Sequence, residues 1–168
     1  MIDQLIKLVQ QNAGESIVRN QALPNQFNNA AIEEVARQIF DGMQGQVSSG
    51  NMQQVTSMFK GGDMSSLANH PMVGQIISNI AVNFASKFGV SQQTARTIAM
   101  GLIPTVMGQF VNKTNDPNDS DFDLQDMLRG FSGNNKLDLN DVLGGLAGSS
   151  SQGGGGLGNV LGNILGGR

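Results

Sequence analysis

Between residues 71 and 110 the chain carries two stretches whose apolar residues recur at helical spacing and spread over much of the circumference. In the first, Met72, Val73, Ile76, Ile77, Ile80, Ala81, Phe84, Ala85 and Phe88 follow Pro71. A helix tolerates proline as its first residue, because that backbone position has no donor to lose. Gly89 supplies a stop, and Ser91 supplies a cap for a second helix through Ile98, Leu102, Ile103, Val106, Met107 and Phe110. Helices apolar on so many sides have to be covered by others, so this pair predicts a core that the rest of the chain wraps with helices. Pro104 predicts a bend or break in the second, since its ring removes one backbone donor and collides with the preceding turn.

The remainder of the first two-thirds supplies those helices, and the period-two alternation of strands hardly occurs. Ile2, Leu5, Ile6, Leu8 and Val9 predict a short amphipathic helix closed near Gly14. Asn28 and Asn29 can cap a second, with Ile32, Val35, Ala36, Ile39, Phe40, Met43 and Val47 on one face and Glu33, Glu34, Arg37 and Gln38 elsewhere. Met52, Val55, Met58 and Phe59 predict a third, stopped by Gly61 and Gly62, with Asp63 and a short turn leading to Pro71. The expected fold is all-α, a multihelical orthogonal bundle over residues 1–113 with a glycine-rich C-terminal tail. A chain of 168 residues has room for one such domain and an appendage.

Past residue 112 the character changes. "NKTNDPNDSDFDLQDML" places Asp116, Asp119, Asp121, Asp123 and Asp126 within eleven positions. "FDLQDMLRGFSG", residues 122–133, is then echoed by "LDLNDVLGGLAG", residues 137–148, at an offset of fifteen. Each copy reads as an aspartate cap, one or two apolar turns and a glycine stop, so residues 114–148 are expected to hold an acidic loop and two short repeated helical turns. "GSSSQGGGG" is a flexible linker by composition. Residues 149–168 end in an apolar stretch where Leu157, Val160, Leu161, Ile164 and Leu165 again lie at helical spacing. Gly158, Gly162 and Gly166 make it marginal as a lone helix, because each glycine costs about 1 kcal/mol there.

Composition narrows the function classes. A net charge of −3 argues against gripping a phosphate backbone. The absence of Cys removes disulfides, zinc–thiolate sites and thiol nucleophiles. With no Trp or Tyr, stacking platforms and interfacial anchors would rest on eight Phe. Asp3, Gln4 and Lys7 interrupt the first apolar run, unlike a signal peptide, and no stretch reaches the roughly 18 to 20 apolar residues of a membrane span. A cytoplasmic location is expected.

Four features invite a sharper reading. Asp116, Asn118, Asp121, Asp123 and Asp126 could converge on a calcium ion. In the EF-hand frame, however, Asp121 stands where a glycine is required and Met127 where the bidentate glutamate belongs. Turn initiation at Asp116-Pro117 and helix capping at Asp121 and Asp123 explain the same residues without a metal, and the second copy keeps only Asp138 and Asp141. "FASKFGVSQQTARTI" has the offsets of a DNA-binding helix-turn-helix, yet its second helix turns apolar after Gln92, Gln93, Thr94 and Arg96, so a buried packing corner is expected. His70, the one histidine, precedes Pro71 and suits a helix-entry turn; no nucleophile or carboxylate stands at a spacing that would make it a general base. The apolar tail asks for a protein surface.

The stretch "NFASKFGVSQQTARTIAMGLIPTVMGQFVNKTNDPNDSDFDLQDML", residues 83–128, resembles the YidB-like family of uncharacterised bacterial proteins, particularly versions from Bacteroidetes. The likeness extends loosely over residues 1–145. It implies a multihelical fold and supplies no catalytic residue. Together these readings predict a small non-enzymatic interaction or self-assembly module. It is expected to need no cofactor and to contact a protein partner or its own copies through the tail and short helices. Nucleic-acid binding through the helix-turn-helix-like corner and calcium binding at the acidic loop are the alternatives.

Overall fold

A computed structural model describes residues 2–61, 63–116, 118–119, 122 and 130–131, all within one compact unit, Met1–Leu137. Among them are six α-helices and no strand, as the all-α reading requires. Most of the repeated turns, the linker and the apolar tail with Leu157, Val160, Leu161, Ile164 and Leu165 lie outside the described residues.

The helices are α1 (Ile2–Asn12), α2 (Asn28–Ser48), α3 (Met52–Gly61), α4 (Met64–Ala68), α5 (Pro71–Phe88) and α6 (Gln92–Thr114). A π-type turn over Gly14–Val18 and a 3₁₀ turn over Asn25–Phe27 join α1 to α2. The local chemistry of α5 and α6 is the one the sequence predicts. His70 caps α5 ahead of Pro71, Gly89 stops it at φ 68°, and the Ser91 hydroxyl accepts from the Thr94 amide. That positive φ is a conformation in which a Cβ would be strained, so glycine is the natural stop.

Four expectations need correction. Asn28 is the first residue of α2 and not its cap; the preceding 3₁₀ turn delivers the chain already wound, so Phe27 occupies the cap position with helical dihedrals and no side-chain bond. The turn after Asp63 contains a helix, α4, whose first amides are satisfied by the Asp63 carboxylate accepting from the Ser66 amide at 2.9 Å. Pro104 does not break α6, which runs through it. The carbonyl four residues earlier, left without its donor, belongs to Met100, which is 57% exposed, so the gap falls toward solvent. Glu34, assigned by periodicity to the polar side of α2, is buried.

α5 and α6 pack most extensively on each other, α1 lies against α2 and α6, α2 also meets α5, and α4 rests on α6. The close α2–α5 approach depends on Gly42, because a Cβ there would stand 2.7 Å from Ile76 Cγ1. Asn12 and Gln109 clasp α1 to α6 by exchanging amide bonds of 3.0 and 2.9 Å. Glu34 is made tolerable in the interior by two donors: Lys87 Nζ at 2.5 Å and Gln38 Nε2 at 2.9 Å. Among the described residues beyond 113, Phe122 and Phe131 also join the hydrophobic core. Phe122 meets Phe110 edge-on at 6.0 Å, and Phe131, 1% exposed, meets Phe40 at 5.3 Å.

Candidate functional site

Among the described residues three places bring polar chemistry together, beginning with the entry to α5. His70 is held extended by the following proline, which disfavours helical dihedrals in the residue before it. Its ring nitrogen Nδ1 accepts the Met72 amide at 3.3 Å, and Nε2 lies 3.0 Å from Ser57 Oγ on α3. A serine beside a histidine suggests an activated nucleophile, but the protons run the wrong way. A backbone N–H can only donate, so Nδ1 is bare and the ring proton sits on Nε2, directed at Ser57. The serine hydroxyl in turn donates to the Gln54 carbonyl at 2.9 Å. A base that would take the serine proton needs a bare nitrogen there. Burial pushes the imidazole pKa below its usual value of 6.5, favouring this neutral form. The helix-entry role was legible; Ser57, thirteen residues away in sequence, was not.

The second place is the acidic loop after α6. Asn115 Nδ2 donates to the Phe59 carbonyl at 3.1 Å, closing the end of α3 from a distance of 56 residues. Asp116 Oδ1 accepts from both the backbone and the side-chain amide of Asn118, at 2.9 and 3.1 Å, which is a self-contained turn. Asp119 pairs with Lys113 Nζ at 2.9 Å, and that ammonium lies 5.4 Å from the centre of the Phe122 ring. Of the five calcium candidates, Asp116 and Asn118 are therefore brought together, with Asp116 Oδ1 accepting both amide bonds of Asn118. Asp121, Asp123 and Asp126 lie outside the described residues. Among the described residues no group of three or more acidic or histidine side chains could hold a metal ion.

The third place is the corner between α5 and α6. The expectation of a buried packing corner holds only in part. Ala95, Ile98, Ala99 and Leu102 are buried, whereas Gln92, Gln93, Arg96, Thr97 and Met100 are exposed along the first two turns and beyond. With Ser78, Ala81 and Val82 of α5, three of these, Gln92, Gln93 and Arg96, line a shallow groove of about 280 Å³. Val82 of the groove is 55% exposed, and Met100 further along α6 is 57% exposed. Among the described residues Arg96 is the groove's single charge. From Met64 to Asn115 the chain has no carboxylate, so the corner is weakly positive on an acidic protein.

Among the described residues no helix is long and apolar enough to cross a membrane. Comparison with known proteins identifies a bacterial family. A family model described as a bacterial protein of unknown function (DUF937) covers residues 69–168, from the residue before His70 through α5, α6 and all that follows. No curated protein and no solved structure matches the chain.

Proposed function

This chain belongs to the YidB-like family of bacterial proteins of unknown function, DUF937, and from that premise we propose that it is a non-enzymatic interaction or self-assembly module. It works in the cytoplasm, on a helical body arranged as an orthogonal bundle, and engages a protein partner or a second copy of itself. The observation that carries this reading is the α5–α6 corner. Val82 is left in solvent beside the adaptable amides of Gln92 and Gln93 and one arginine, and Met100 is exposed further along α6. Methionine and arginine are residue types that protein contacts favour, and the Ser78 hydroxyl that lines the groove donates to the Gly74 carbonyl. The family match takes in this corner and the apolar stretch Leu157, Val160, Leu161, Ile164 and Leu165, which supplies a second contact segment.

Deleting residues 149–168 tests it. Circular dichroism should show helical content and melting of the body nearly intact, while sedimentation or partner capture changes. A truncated protein that unfolds would sink the proposal, and one that sediments and captures like the full chain would confine the contact to the α5–α6 corner.

One observation favours a second reading, nucleic-acid binding at the same corner: the carboxylate-free stretch that presents Gln92, Gln93 and Arg96. Among the described residues the groove offers a single cation, Arg96, which predicts weak binding with a shallow salt dependence. A gel shift across a salt series decides it, and no shift at low salt ends that reading.

A further inference from the structure

The polar link between α3 and α5 has a proton arrangement that only a neutral ring can satisfy. We propose that His70 is a pH-sensitive clasp, holding α3 to the start of α5 at neutral pH and releasing both when the imidazole takes up a second proton. The ring is bonded at each nitrogen. Nδ1 accepts from the Met72 amide, and Nε2 donates to Ser57, whose proton is passed to the Gln54 carbonyl. A second proton has one place to go, Nδ1, where it would face the Met72 N–H donor to donor. The imidazolium would also sit at the positive end of an 18-residue helix, where a cation is disfavoured. Both effects turn the ring out, and turning it out removes the Ser57 bond along with the cap. Burial of the ring acts in the same direction.

Among the described residues no charge on the surrounding elements is placed to hold the cation instead. On α3 the only charge is Lys60, which is itself engaged. α4 carries none, and both oxygens of the Asp63 cap are taken by the amide and hydroxyl of Ser66. α5 has no charge before Lys87, which is bound to Glu34 of α2; α2, which packs on both α3 and α5, also carries Glu33, Arg37 and Asp41, all exposed, while the ring nitrogens are bonded to Ser57 and Met72. On α6, Arg96 is a cation and Lys113 is paired with Asp119. Asp116, beside the end of α3, is closed on Asn118. Histidine is the side chain whose ordinary titration falls between about pH 5 and 8, so the release lies in a physiological range.

The test uses the full-length protein. Nitrogen NMR of the imidazole at pH 8 should show Nδ1 unprotonated, and the hydrogen-exchange protection factor of the Met72 amide, whose acceptor is the ring, should fall on going to about pH 5. The expected fall is roughly fivefold, the scale of one lost helix cap. In His70→Asn, which can cap but cannot titrate, protection should be the same at both pH values. A ring protonated at Nδ1 at pH 8, a Met72 protection factor unchanged on acidification, or an equal fall in His70→Asn would each overturn the proposal. The tautomer measurement, made on the natural sequence, decides it even where the variant fails to fold.

Discussion

Adding one methyl group at Gly42 should destabilise the protein although the same change one turn later stabilises it. Gly42 and Gly45 both lie inside α2. In a helix interior, glycine to alanine is worth about 1 kcal/mol of stability, from propensity alone. At Gly45 a Cβ would meet nothing within 4 Å, so Gly45→Ala should collect most of that gain. At Gly42 the new Cβ would stand 2.7 Å from Ile76 Cγ1 and 3.1 Å from Cδ1. Ile76 is 1% exposed and branched at Cβ, so it has neither space nor a spare rotamer to retreat into. Forcing a methyl into such a contact costs about 1–3 kcal/mol in shifted backbone and side chains. Subtracting the propensity gain leaves Gly42→Ala between about neutral and 2 kcal/mol less stable, most plainly negative relative to Gly45→Ala. Urea unfolding of the two variants and the parent, compared at equal slope, measures the difference. Equal stabilisation by both would refute the reasoning and mean that α2 and α5 separate easily. In the double variant with Ile76→Ala, the penalty at Gly42 should shrink, since the obstructing atoms are gone.

Two further outcomes follow from the caps and from the far end of the core. Phe131→Ala should lower unfolding free energy by about 3–5 kcal/mol, because the ring is 1% exposed and stacked at a tilt on Phe40; a loss under about 1 kcal/mol by urea unfolding would mean this residue does not anchor the chain to the body. Asp63 is held below its ordinary value of 3.8 mainly by the Ser66 hydroxyl and then the Ser66 amide. Its contribution is therefore complete above that value and is lost as pH falls through the lower, folded-state pKa. Asp63→Asn should flatten the acid limb of a stability–pH curve, and an unchanged limb would show the cap to be idle.

What could be read from the sequence was local. Pro71, Gly89 and Ser91 act through their own backbone, so a helix entry, a stop and a cap were visible as residue types at the right offsets. α2 was visible because Ile32, Val35, Ile39, Met43 and Val47 repeat on one face. α4 escaped because its five residues, Met64–Ala68, are too few to establish a period. Glu34 was placed on the wrong side because what makes its burial tolerable, Lys87, is 53 residues distant. Asn28 looked like a cap because its residue type favours one, while the 3₁₀ turn that displaced it has no comparable signature. At the candidate sites the pattern is the same. The turn at Asp116 was legible from Asp-Pro-Asn, but the closure of α3 by Asn115 and the Ser57–His70 link depend on the tertiary fold. The exposed side of α6 was masked by the apolar residues of its other faces, which dominate any average along the helix.

The Asn12–Gln109 amide exchange also sets an order of events during synthesis. Its two partners are 97 residues apart, and ribosomes add roughly 5–20 residues per second, so the first helix is made about 5–20 s before the residue that completes its polar contacts. Through that interval α1 can lean on α2, with Leu5, Leu8 and Val9 only partly covered. Native closure is thus scheduled late, and a translational pause before residue 109 would prolong the time in which the nascent chain is open to chaperones, proteases or a neighbouring nascent copy.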